Sequence, residues 1–122
     1  MLRVKVSFYY HYGVCVDEDR VVQFGLPDNV STPTEQIAVI ETDMAAFAGD
    51  GIPETAVLTF AERRRRLSPK KTVEAARARL GETGYHIFRN NCEHFAHACV
   101  FGEATSPFVD DVRESLRKKL QK

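Results

Sequence analysis

Residues 90–102 read Asn90-Asn91-Cys92-Glu93-His94-Phe95-Ala96-His97-Ala98-Cys99-Val100-Phe101-Gly102. The asparagine pair is a capping signal, the run from Cys92 to Phe101 has apolar helical periodicity, and Gly102 supplies a stop. The stretch predicts a helix that starts at or beside Cys92. A cysteine in that place has a chemical use. Unsatisfied N–H groups and the helix dipole put partial positive charge beside the sulfur, favouring thiolate and offering donors to a developing oxyanion. Cys99, seven residues on, shares the helical face of Cys92 and reads as a core thiol.

A cysteine nucleophile needs a base that meets it in space. The chain has four histidines: His11, His86, His94 and His97. On a helix of 3.6 residues per turn, His94 is turned about 200° from Cys92 and His97 about 140°, so neither faces the thiol well. His94 reads as a structural hydrogen-bonding residue. His86 lies upstream on a strand-like Tyr85-His86-Ile87-Phe88. Before it, Ser68 as N-cap, Pro69 at the first helical position, the alanine-rich run to Leu80 and the stop at Gly81 predict a helix over 69–80.

The N-terminal third reads as β-structure. Residues 3–10 alternate, His11 to Val16 is rich in β-formers, and Arg20 to Phe24 follows the acidic turn Asp17-Glu18-Asp19, which predicts a hairpin. With a three-residue turn, Val16 faces Arg20 and Gly13 faces Gln23. Gln23 then shares a sheet face with His11 as its diagonal neighbour, about 7–8 Å away. Cys92, His11 and Gln23 thus supply a nucleophile, a base and an orienting group. Taken singly, each is more often a packing or surface residue. Cys15 takes no role.

Residues 26–34 read as a loop, Ile37 to Ile40 as a short strand, Thr42 to Ala48 as a short helix or loop, and Val57 to Phe60 as a further strand. The tail from Pro107 spaces Val109, Val112, Leu116 and Leu120 by three and four among basic residues, predicting an amphipathic helix that either lies on an anionic membrane or packs on the domain. Arg63-Arg64-Arg65-Arg66 is either a solvated helix end or loop, or a contact for an anionic membrane surface.

A chain of 122 residues with 17 basic against 17 acidic residues predicts one domain. The balance argues against a nucleic-acid partner. Three cysteines without paired spacing indicate neither a disulfide framework nor a zinc knuckle, and point to a reducing, cytoplasmic setting. No secretory signal or membrane-spanning run is evident, and neither a cofactor nor a metal is expected.

The segment Asn90-Asn91-Cys92-Glu93-His94-Phe95 resembles the cysteine box of the lecithin–retinol acyltransferase family. His11-Tyr12-Gly13-Val14-Cys15-Val16 followed by Arg20-Val21-Val22 resembles its histidine box. The likeness covers roughly residues 4–103, loosely over 26–66, and extends to phospholipase A and acyltransferase relatives. It implies an α+β fold: a small antiparallel sheet packed on the cysteine helix, related to a circularly permuted papain-like core. The domain it implies runs over residues 1–105, and the basic amphipathic helix read over 106–122 is either part of that domain or a tail. By the resemblance Cys92 matches the nucleophile and His11 the general base. Gln23 stands where the family usually has a second histidine; it can orient His11 but cannot become charged. The implied chemistry is acyl transfer or hydrolysis on an acyl lipid or phospholipid through an acyl-cysteine, peripheral at membranes. A papain-like cysteine peptidase or amidase, and a catalytically weak partner-binding domain, stay open as alternatives.

Overall fold

The computed structural model describes residues 1–6, 9–26, 33–86 and 90–102. Within them the chain forms β1 (Leu2–Val6), β2 (Tyr9–Asp17), β3 (Arg20–Phe24), β4 (Val39–Asp43), α1 (Met44–Ala48), β5 (Glu54–Thr55), α2 (Phe60–Arg65), α3 (Pro69–Ala78) and α4 (Cys92–Phe101), with one 3-10 turn at Thr34–Gln36. The strands make one antiparallel sheet in the order β4-β3-β2-β1-β5.

Alternation along the strands gives the sheet two apolar faces. Val14 of β2, Val22 and Phe24 of β3 and Val39 of β4 meet Cys92, Phe95, Ala96 and Cys99 of α4 and Ala76 of α3. The opposite face carries Val4 and Val21, covered by Phe47 of α1. The helix bearing the cysteine therefore packs on one side, as the α+β reading expects. Phe24 anchors it, with Phe95 and Tyr85 meeting its ring edge-on at 6.3 and 5.2 Å between centroids. Gly13 is required where α1 crosses β2: a Cβ there would lie 2.7 Å from Phe47 Cε1 and 2.8 Å from Val21 Cγ1.

Several expectations shift. Tyr9 and Tyr10 do not continue β1 but pair back on Val6 and Lys5 as the start of β2. A period-two pattern runs unbroken from β1 into β2, with no Gly, Pro or Asn to mark the change of strand. The Gly13–Gln23 pairing holds, whereas Asp17, not Val16, pairs with Arg20 because the ladder bulges between Cys15 and Asp17. The strand near 37–40 lies at Val39–Asp43, and Asp43 ends it by capping α1: its carboxylate accepts from the Ala46 N–H at 2.8 Å.

Val57 to Phe60 is not a strand. Thr59 and Glu62 form a reciprocal capping box, which starts α2 at Phe60. The pattern Thr-x-x-Glu carries that start, and local capping wins where Val57 and Phe60 stay 78% and 76% exposed, without a core to draw them into a ladder. The four arginines are its exposed last turn and C-cap. The helix predicted over 69–80 ends at Ala78, with Gly81 at φ 87° just beyond. His86 forms an isolated bridge with Asn90, so Tyr85 opens no ladder; Ile87 and Phe88 lie outside the described residues, as does the predicted tail helix.

Candidate active site around Cys92

The box at the start of α4 folds as a self-contained cap. Asn91 is the N-cap, its Oδ1 accepting from the His94 N–H at 2.9 Å, while the Asn91 N–H donates to His94 Nδ1 at 3.1 Å. His94 is thereby a structural residue, as expected from its orientation. The cap places Cys92 as the first residue of the helix, 8% exposed.

The β2–β3 ladder runs from Asp17 to Gly13, and Tyr12 lies one residue past its end. There the backbone N–H groups of Tyr12, Glu93 and Cys92 itself lie on the side of the sulfur where they favour its thiolate form. The nucleophile candidate is thus seated against the backbone of the residue that follows His11. Glu93 is buried and accepts from the Tyr12 hydroxyl, which in turn accepts from Arg3. That chain ties α4 to β2 and β1. Burial, with Glu93 adding to it, holds the Tyr12 phenol up at about 12. Burial raises the Tyr9 and Tyr85 phenols, and the negative charge of a Cys92 thiolate would raise both further.

His11 and Gln23 are brought together on the sheet face covered by Phe47, whereas Cys92 belongs to the apolar cluster of the other face. Their side chains meet at 2.7 Å between Nε2 and Oε1, both buried, and the His11 ring lies 5.4 Å from that of Phe47. The amide of Gln23 also donates to Thr42 Oγ1 at 2.7 Å. Thr42, Glu93, Tyr12 and Phe47 were not singled out in the sequence. Glu93 had a signal, its place beside the cysteine in a capped box, whereas Thr42 had none, since a threonine in a strand is ordinary.

The electrostatics differ from the expectation for a helix start. Burial pushes the Cys92 thiol up to about 11; the three N–H donors pull it down without offsetting the loss of water, and Glu93 opposes them. Burial likewise lowers His11 from its ordinary value, the hydrogen bond to Gln23 acting weakly the other way. Both effects favour the uncharged forms, so the resting site holds a thiol and a neutral imidazole. Cys99 is fully buried and likewise raised to about 11, chiefly by burial; Cys15 is exposed. No cluster of metal-ligating side chains occurs among the described residues.

Comparison with known proteins adds a second kind of observation. The profile of the family described as lecithin retinol acyltransferase matches residues 1–105. The chain is 25% identical to lecithin retinol acyltransferase of Mus musculus, the alignment covering 96% of this chain and 61% of that protein. For the Rattus norvegicus protein of the same name the identity is 24%, with 96% and 59% covered. The chain therefore spans about three fifths of the length of these relatives.

Proposed function

Since the chain belongs to the lecithin retinol acyltransferase family, we propose that it transfers or hydrolyses lipid acyl groups through a thioester on Cys92, with His11 as general base and Gln23 as its orienting partner. The observation that carries this reading is the seat of Cys92 as the first residue of α4, beside the backbone of Tyr12, together with the buried His11–Gln23 pair that the preceding residue of β2 makes on the Phe47 side of the sheet.

In the first half-reaction His11 takes the thiol proton as the sulfur attacks the ester carbonyl carbon. The oxyanion is met by N–H groups at the sulfur, those of Tyr12 and Cys92. Collapse breaks the ester C–O bond, the imidazolium returns its proton to the leaving alkoxide, and the acyl group remains on sulfur. Water or an amine, deprotonated by His11, then attacks the thioester and restores the thiol. A neutral resting pair suits this sequence, because the proton moves only when a carbonyl is in place.

The fold is read as a permuted papain-like core over residues 1–105, with 106–122 as a basic tail. In papain-like enzymes the cysteine precedes the histidine in sequence; here the histidine strand comes first and the cysteine helix last, which supports a permutation. Contact with an anionic membrane is assigned to α2. Phe60 projects with 76% of its surface exposed, the Arg64 guanidinium lies 5.6 Å from its ring, and Arg63 and Arg66 are exposed beside it. An aromatic ring amid cations matches the boundary between headgroups and acyl chains, where each arginine contributes about 1 kcal/mol. No helix among the described residues is long and apolar enough to cross a membrane.

The test is intact mass spectrometry after incubation with phosphatidylcholine vesicles. An adduct of one acyl chain that is lost in Cys92→Ala and in His11→Asn supports the proposal. No adduct at any pH between 6 and 9, with the protein folded, overturns it.

A further inference from the structure

Beyond the His11–Gln23 pair, a third residue enters from β4. Thr42 is paired across the ladder with Val21, so it is the diagonal neighbour of Gln23 on the face covered by Phe47. Its hydroxyl oxygen lies 2.7 Å from Gln23 Nε2 and 3.0 Å from the carbonyl of Asp43. A carbonyl only accepts, so the hydroxyl proton goes to Asp43 and its oxygen is left to accept from the Gln23 amide N–H.

That assignment propagates. With the Gln23 NH2 on Thr42, its Oε1 faces His11 Nε2 at 2.7 Å and requires a hydrogen there. In a neutral imidazole one nitrogen carries the proton and the other the lone pair. The flipped amide would need an acceptor nitrogen at Nε2 and a Thr42 hydroxyl turned away from Asp43. We propose that Thr42 is a positioning residue which, through Gln23, holds His11 as the Nε2–H tautomer and reserves Nδ1 as the atom that takes a proton from substrate chemistry.

The backbone gives Thr42 a fixed seat. Asp43, next in the chain, caps α1 with its carboxylate, and the first N–H of α1, that of Met44, donates to Asp19 in the β2–β3 turn at 3.4 Å. The same helix carries Phe47, whose ring lies beside His11. One short helix therefore holds both the packing surface of the imidazole and the strand end that sets its proton.

The role in acyl transfer rests on the function proposed above; the tautomer does not, and the experiment separates the two. Protein labelled with 15N-histidine is examined by long-range 1H–15N correlation at pH 8, with the His11 signals identified by their loss in His11→Asn. The wild-type spectrum is expected to show a protonated Nε2 and a bare Nδ1. Thr42→Val, which keeps the shape and loses the hydroxyl, is expected to give averaged nitrogen shifts and a roughly tenfold slower acylation of Cys92 at saturating lipid, and Thr42→Ser to restore both. A wild-type His11 with the proton on Nδ1 overturns the proposal without any variant. So does a Thr42→Val protein with an unchanged spectrum. An Nε2–H tautomer that depends on Thr42 in a protein forming no acyl-Cys92 upholds the relay and removes the lipid chemistry.

Discussion

The neutral state of the Cys92 thiol is open to a quantitative test by alkylation. A thiol held at about 11 is ionised to about one part in ten thousand at pH 7, against about 3% for an ordinary cysteine at about 8.5. The difference is roughly 300-fold in thiolate. A more basic thiolate is also a better nucleophile, with a Brønsted slope of about 0.4–0.5, which returns a factor of about 13. The net expectation is that Cys92 reacts with iodoacetamide about 20-fold more slowly than free cysteine at pH 7. Its limited exposure slows it further. Its rate should climb about tenfold per pH unit and level off only near pH 11. The assay is a timed pulse of iodoacetamide across pH 5–11 followed by peptide mass spectrometry, with the exposed Cys15 alkylated in the same sample as a check on reagent. The lipid reaction should behave differently. Only neutral His11 accepts the proton, and its pKa lies below the ordinary 6.5, so acylation is present at pH 7 and is lost as the pH falls through that lower value. A Cys92 alkylation rate that plateaus below pH 7 and exceeds that of free cysteine would mean a thiolate–imidazolium pair, and would refute the neutral site.

Three further outcomes follow from the packing. Gln23→Leu keeps the volume but leaves His11 and Thr42 without their amide partner; a loss of about 1–3 kcal/mol in urea unfolding is expected, with slower acylation of Cys92. Gly13→Ala drives a methyl group into Phe47 and Val21, so a destabilisation of about 1–3 kcal/mol is expected by thermal unfolding, together with a displaced His11 ring signal in NMR. In the double variant Arg63→Glu, Arg64→Glu, co-sedimentation with vesicles rich in phosphatidylserine should fall at least tenfold while unfolding stays unchanged, because both side chains are exposed; retention of wild-type binding would remove α2 as the membrane contact.

What the sequence made legible was what short-range physics controls. The helix at Cys92 was readable because its cap, its first residue and its terminating Gly102 are contiguous, and α3 because Ser68 and Pro69 mark its start. The His11–Gln23 contact was readable because a hairpin converts spacing along the chain into a position across it, and the bulge beyond Cys15 left the Gly13–Gln23 pairing in place. Thr42 was not readable, since its contact with Gln23 depends on which strand docks beside β3, a choice made by long-range packing under Phe47. The charge state of Cys92 was misjudged for a related reason. A helix start raises the N–H density at the sulfur, a local effect, but removal of the site from water by packing is a tertiary effect and the larger one.

That ordering of effects changes how Gln23 should be judged. From sequence, a glutamine in place of the family's usual second histidine is a loss, because it cannot carry charge. In this site the first histidine is itself held neutral by burial, and position 23 is fully removed from water. A second imidazole there would meet the same desolvation and would serve through one ring nitrogen as an uncharged acceptor. A glutamine supplies that acceptor at 2.7 Å, and its NH2 end gains a fixed partner in Thr42. The requirement at position 23 is then for an oriented acceptor, not for a second titrating group. Gln23→His should accordingly leave the acid limb of the acylation profile with a single ionisation. A second ionisation in that variant between pH 5 and 8 would show that the site tolerates charge, and would return the glutamine to the status of a defect.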